Sequence, residues 1–295
     1  MQTSPSTQER VWAALAHLSA LAMGMGLLLP VIGWSEQRRT SRYVSFQTLQ
    51  ALGYQTLGYT LWILIAMVFA VIGLLSLLAE LGTMTDPASQ LTSWLLGHFG
   101  FSLALFGLYY IFPVIGAIAC ALGRDFRYPF LGHRLARYLG YDDPTAEALN
   151  EDHEDRWVVA MGHFTVIVLI WGLLPPLVAL ILQGKRSFFI RFQSIQTLIF
   201  QGLTTLLFLG AVAFYLLGLG LFAGLVGLTG DLDFNSPVAL AGLVVLFVSL
   251  LIMVGILLVV PLLHITGQWA GYRVLKGDDY RYPLLGKLIE KRLSR

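Results

Sequence analysis

FQTLQALGYQ at residues 46–55 and FQSIQTLIFQ at residues 192–201 are one phrase written twice, 146 positions apart, with Gln47, Gln50 and Gln55 falling on Gln193, Gln196 and Gln201. The register extends backwards. Glu9, Arg10, His17, Ser19 and Pro30 meet Asp155, Arg156, His163, Thr165 and Pro176, and Arg39 and Ser41 meet Lys185 and Ser187. Forwards the offset becomes 154, where GRDFRYPFLG at 123–132 meets GDDYRYPLLG at 277–286. Motifs recurring in one order mark an internal repeat, the feature that decides the fold before any local assignment. The chain divides into a short tail (1–8), a first repeat (9–137), an acidic connector (138–154), a second repeat (155–290) and a basic tail (291–295).

Each repeat is built for lipid. The 295 residues are 57% hydrophobic and 12% charged, about half the charge of a soluble domain. Six runs lack Asp, Glu, Lys and Arg: 11–35, 43–79, 87–123, 157–184, 192–230 and 234–272. Each exceeds the roughly 20 residues a helix needs to cross a bilayer. Long runs rich in Leu, Ala and Gly exclude the alternating strands of an outer-membrane barrel. The expected fold is therefore all-α: a polytopic helical integral membrane protein of two homologous three-run repeats, with four to six full spans. MQTSPSTQER lacks the basic start of a signal peptide, so the first run is expected to be retained. The net charge of +2 does not indicate nucleic acid, because the basic residues flank membrane runs.

The charges also constrain topology. Only the loops near 80–95 and 228–236 lack Lys and Arg, and they carry Glu80, Asp86, Asp231 and Asp233. Every basic cluster, the connector and the C-terminus share one side if the first run of each repeat enters and leaves on that side as a re-entrant hairpin. The Gly24–Met25–Gly26 sequence followed by Pro30, and Gly172 followed by Pro175 and Pro176, supply candidate breaks. A kinked but fully spanning helix is the alternative, placing the two repeats in inverted orientation. With both repeats in one orientation, the chain reads as a pseudo-dimer in itself. The connector, with seven acids among residues 142–155, reads as a solvated tether in which His153 could hold a cation weakly.

Several duplicated polar residues are candidates for function. His17 lies seven residues, or roughly 10 Å along a helix, past Arg10, and His163 lies equally far past Arg156. An ionisable group at such depth needs a partner or a cavity. The choice is between a proton- or ligand-sensing pair and a neutral ring bonding across helices. At 100° per residue Gln47, Gln50 and Gln55 share an arc of about 140°, and interhelical glue fits that stripe better than a solute path. Arg127, Tyr128 and Pro129, with Arg281, Tyr282 and Pro283, read as an interfacial motif at headgroup depth. Amphipathic stretches follow, at 130–140 and 284–295, suited to an anionic leaflet. Gly210, Gly218, Gly220, Gly224 and Gly227 read as close helix packing. Cys120 reads as a buried thiol. No catalytic, metal or cofactor motif occurs, so no enzyme activity, metal or cofactor is expected.

With the opening from Glu9 to Ser19, the glutamine phrase and the closing Arg-Tyr-Pro, each copy resembles a family of small bacterial membrane proteins of unknown function. That family is related to the Tic-type channel subunit of the chloroplast inner envelope and includes magnetosome membrane proteins. Members often carry His-Ala near the second helix start, where this chain has Phe46-Gln47 and Phe192-Gln193, so no role carries over to that position. The resemblance implies a multi-pass protein of the bacterial cytoplasmic membrane acting as scaffold, assembly factor or translocation-type component. Its expected partners are the bilayer, anionic headgroups and other membrane proteins. A small-solute or ion transporter with a site between the repeats is the competing class.

Overall fold

Ser6 opens the first helix by a reciprocal cap: its hydroxyl accepts from the Glu9 amide at 3.3 Å, and its own amide donates to Glu9 Oε2 at 2.7 Å. Helix α1 (Thr7–Leu18) runs into a 3₁₀ stretch (Ser19–Leu27), and α2 (Leu28–Gln37) returns. The computed structural model describes residues 4–80, 86–229 and 236–293, within which the chain is helix and turn. After the return come α3 (Arg42–Glu80), α4 (Pro87–Ala121) and the short α5 (Leu131–Leu139). The second repeat follows the same plan, with α6 (Glu151–Phe164), a 3₁₀ stretch (Thr165–Leu173), α7 (Leu174–Gln183), α8 (Phe188–Thr229), α9 (Pro237–Leu275) and α10 (Leu285–Leu293). This is the expected all-helical, two-repeat membrane fold. Six stretches are long and apolar enough to cross a bilayer. The acidic loops expected at the far ends fall largely on residues 81–85 and 230–235, outside the described residues.

Two of the six stretches are folded back on themselves. Residues 12 and 33 would stand about 31 Å apart on one unbroken helix, yet a methyl group on Gly33 would lie 3.2 Å from the Trp12 ring. At the tip, Ser19 Oγ donates to the Gly26 carbonyl at 2.8 Å, and Thr165 Oγ1 donates to that of Gly172 at 2.9 Å. The turn occurs at Met23 (φ 53°) and its counterpart Leu169 (φ 51°), both in the left-handed region that costs a side-chain-bearing residue energy. The prolines expected to cause the break instead start the return helices. Pro30, Pro175 and Pro176 occupy the first turn of α2 or α7, where a missing N–H costs nothing.

The repeats share one polar end. Arg38 at the end of α2 pairs with Glu154 at 3.3 Å and Asp155 at 2.8 Å in the first turn of α6. The Trp157 indole donates to the Leu49 carbonyl at 2.9 Å, and Gln183 donates to Ser35 Oγ at 2.5 Å. The connector is docked rather than a free tether: the Arg42 guanidinium donates to the carbonyls of Gly140, Tyr141, Asp143 and Ala146 at 2.7 to 2.8 Å. His153 stacks on Tyr138 with ring centroids 4.4 Å apart.

The amphipathic helices also differ from expectation. Leu135 and Leu139 face the protein, and the apolar group left open is Phe130, 85% exposed at φ 60°, matched by Leu284 at 87% and φ 67°. Of the α8 glycines, Gly218 alone meets a neighbour, Ser249; methyl groups on Gly210, Gly220, Gly224 and Gly227 would enter open space.

Candidate functional site

In each repeat the polar side chains singled out by the repetition converge at one place. Helix α1 brings in His17, α3 brings Gln47, Gln50 and Gln55, and the segment between α4 and α5 brings Asp125, Phe126 and Tyr128. All three glutamines and His17 are fully buried. His17 Nε2 lies 2.9 Å from Gln47 Oε1, and Nδ1 lies 2.9 Å from the Tyr128 hydroxyl.

Hydrogen-bond chemistry fixes the direction of the chain. Gln47 Nε2 donates to Asp125 Oδ1 at 2.8 Å and to the Phe126 carbonyl at 3.1 Å, both of which can only accept when the carboxylate is ionised. Gln47 Oε1 therefore accepts, so Nε2 of His17 carries the proton and Nδ1 accepts from Tyr128. The path runs Tyr128, His17, Gln47, Asp125, and a neutral imidazole satisfies both neighbours. Gln50 closes it, donating to the Phe126 carbonyl at 3.0 Å and accepting from the Tyr128 amide at 2.8 Å. Gln55 stands higher on α3 and donates to the Ala16 carbonyl at 3.2 Å and to Ser19 Oγ at 3.1 Å, holding the hairpin tip.

The second repeat reproduces this construction atom for atom in kind. His163 meets Tyr282 OH at 3.0 Å and Gln193 Oε1 at 3.1 Å. Gln193 donates to Asp279 at 2.6 Å and to the Tyr280 carbonyl at 3.0 Å. Gln196 donates to that carbonyl at 2.8 Å and accepts from the Tyr282 amide at 3.3 Å. Gln201 donates to the Gly162 carbonyl at 2.6 Å. Thr197, where the first repeat has Ala51, adds a hydroxyl 3.0 Å from His163 Nδ1.

The Arg-Tyr-Pro motif is split by the fold. Tyr128 and Tyr282 are 1% and 2% exposed and leave the interface for the core, stacking on Tyr54 at 4.1 Å and Phe200 at 4.0 Å. The cause is the imidazole nitrogen, which offers each phenol a buried acceptor. Arg127 stays at the polar end with Asp142 at 2.7 Å, and Arg281 with Glu290 at 2.9 Å. Pro129 and Pro283 are exposed in the turns before α5 and α10. Sequence reasoning passed over Asp125 and Asp279, although each stands two residues after the glycine of its closing motif. Among the described residues no three His, Cys, Asp or Glu side chains converge as a metal site would require.

Comparison with known families places this construction. The model of the magnetosome magnetite crystal formation protein family matches residues 8–135 and again residues 154–289, and the chain belongs to that family. Neither the curated proteins nor the solved structures gave a match.

Proposed function

We propose that this member of the magnetosome magnetite crystal formation family is a non-enzymatic scaffold of the membrane in which crystals form. The observation that carries the reading is the closure of both polar networks. The Tyr128–His17–Gln47–Asp125 path and its counterpart bond within their own repeat, apart from Tyr141 of the connector, which donates to Asp125, and they tie the hairpin to the closing turn. A transport site would instead turn polar groups of both repeats toward a shared opening. Each hairpin is re-entrant from the polar end, the two repeats lie parallel, and the basic end faces the cytoplasm. Asp86, just ahead of α4, then faces away from it.

The test is complementation in a magnetite-forming bacterium lacking its own member of this family, alongside ion flux in vesicles holding the purified chain. The scaffold reading expects restored crystal size by electron microscopy and no flux above empty vesicles. Metal-ion or proton flux abolished by His17→Ala would replace it with a transporter.

A further inference from the structure

The two repeats bury different faces. On α6, Trp157, Met161 and Phe164 are 7%, 0% and 8% exposed, whereas their counterparts on α1, Val11, Leu15 and Leu18, are 51%, 42% and 41% exposed. The other side shows the reverse. Val31 and Ser35 on α2 are 0% and 7% exposed and Gly53 on α3 is buried, but Leu177, Ile181 and Ile199 at the same places in the second repeat are 40%, 65% and 39% exposed. A twofold axis would bury equivalent positions alike. Here α6 of the second repeat packs on α3 of the first while α7 packs on α2, and α1 has no matching contact with α8, so the joint is heterologous. Each repeat is left with one unused face, and the two unused faces are of opposite kinds.

We propose that copies of this chain assemble head to tail in the membrane, with α1 of one copy seated on α8 of the next and α2 beside its α7, so that the contact between molecules repeats the contact between repeats. Exposed apolar surface alone does not select this partner, since lipid covers such surface equally well. Two further observations select a second copy. The first is volume: the internal joint places the Trp157 ring where a methyl group on Gly53 would be 2.4 Å away. The open joint places Val11 against Ile199, a smaller side chain meeting a larger one.

The second observation is charge. Inside the chain, Arg38 pairs with Glu154 and Asp155. On the open α1 face those two positions hold Gln8 and Glu9, so one acid of the pair is kept. The Glu9 carboxylate accepts from Ser6 and Ser41 and has no cation paired to it among the described residues. On the open face of the second repeat the position of Arg38 is Gly184, and the cations stand directly beyond it. Lys185, Arg186 and Arg191 are all exposed and without an ion pair among the described residues. An unneutralised acid and unneutralised bases therefore lie at the same end of the two faces. This inference stands apart from the scaffold role, because an assembling transporter would show the same joint.

The experiment uses the full chain in membranes with Cys120→Ser, carrying Val11→Cys and Ile199→Cys together, under mild oxidation. The expected result is a reducible ladder of dimers, trimers and higher species. Each cysteine alone gives no more product than Leu103→Cys with Leu258→Cys, a pair at 56% and 69% exposure on other surfaces. Adding Gln8→Arg sets a cation against the basic group and lowers the yield about fivefold, the effect of roughly 1 kcal/mol, and Arg191→Glu on the same chain restores it. Two results overturn the proposal: a ladder no stronger than the control pair, or dimers formed by Val11→Cys alone, which would mean a twofold contact. All these positions except Cys120 are exposed, so folding is not at stake, and thermal stability of the reduced proteins checks it.

Discussion

Arg38 of the first repeat reaches Glu154 of the second at 3.3 Å, with the two side chains 4% and 3% exposed. Glu154 lies in the first turn of α6, ahead of the apolar run that begins at Trp157. Burial pushes its carboxyl up to about 7, against the pull of Arg38 and with a further push from Asp155. Burial raises Asp155 as well. The folded protein thus holds the Glu154 proton more tightly than the unfolded chain does. The stability this contributes is full below about pH 4.5 and is lost as pH rises through about 7. Glu154→Gln, which leaves Asp155 to pair Arg38, should raise the melting temperature at pH 8 and flatten its fall between pH 5 and 8. Arg38→Gln strands two carboxylates and should cost about 3 to 5 kcal/mol at pH 8. A lower melting temperature for Glu154→Gln at pH 8 would contradict this account.

His17→Ala removes the acceptor of Tyr128 and one donor to Gln47 in one step, leaving the Tyr128 hydroxyl buried and unpaired and Gln47 Oε1 with Gln50 and the Cys120 thiol alone. A buried group left unpaired costs about 1 to 3 kcal/mol, and His163→Ala should cost as much in the second repeat. The two histidines share no partner, so their effects should add. His17→Ala with Tyr128→Phe should instead show a coupling of about 0.5 to 3 kcal/mol. Denaturant unfolding in mild detergent supplies all four corners of each cycle, and additivity in the second pair would break the proposed path.

How much of this was legible in the sequence depends on the range of the signal. The repeat and the apolar runs are local patterns, and they carried the fold class. The fold-back of the first run was legible less directly, from the need to keep Arg38, Arg39 and Arg42 on the side of Lys185 and Arg186. Its turning point was not, because Met23 and Leu169 adopt a conformation their residue types disfavour, imposed by the packing of Ser19 on Gly26 and Thr165 on Gly172. Tyr128 was misplaced for a similar reason. An amphipathic ring after a membrane run suits the interface, and the imidazole that draws it inward lies 111 residues away. Nor does the likeness of the two repeats reveal which faces mate. That choice rests on single differences such as Trp157 for Val11 and Gly53 for Ile199.

Sidedness tests the parallel arrangement. With Cys120→Ser as background, single cysteines at Thr40 and Arg186, both exposed at the polar end, should respond alike to a membrane-impermeant thiol reagent in intact cells. Cysteines at Asp86 and Ser236, just before α4 and α9, should respond in the opposite way. Thr40 and Arg186 labelling from different sides would mean that the first run of each repeat crosses the bilayer and that the repeats are inverted.

The hairpin tips depend on two glycines whose missing side chain is the point. A methyl group on Gly26 would stand 2.0 Å from the Ser19 carbonyl oxygen, and one on Gly172 would stand 2.1 Å from that of Thr165. These obstacles are backbone atoms, so no rotamer change relieves them, and the hydroxyls of Ser19 and Thr165 bond across the same gap. Gly26→Ala must push the two arms apart, loosening Gln55 from Ala16 as well. The cost should reach the upper part of the about 1 to 3 kcal/mol typical of overpacking, and Gly172→Ala should match it. Gly202→Ala and Gly210→Ala, where nothing lies within 4 Å, should be neutral or slightly stabilising on a helix. Thermal unfolding of the four variants, with protease cleavage near residue 23 as a local readout, separates the outcomes. If Gly26→Ala and Gly210→Ala behaved alike, the first run would not be folded back at Ser19 and Gly26, and the re-entrant hairpin would have to be given up.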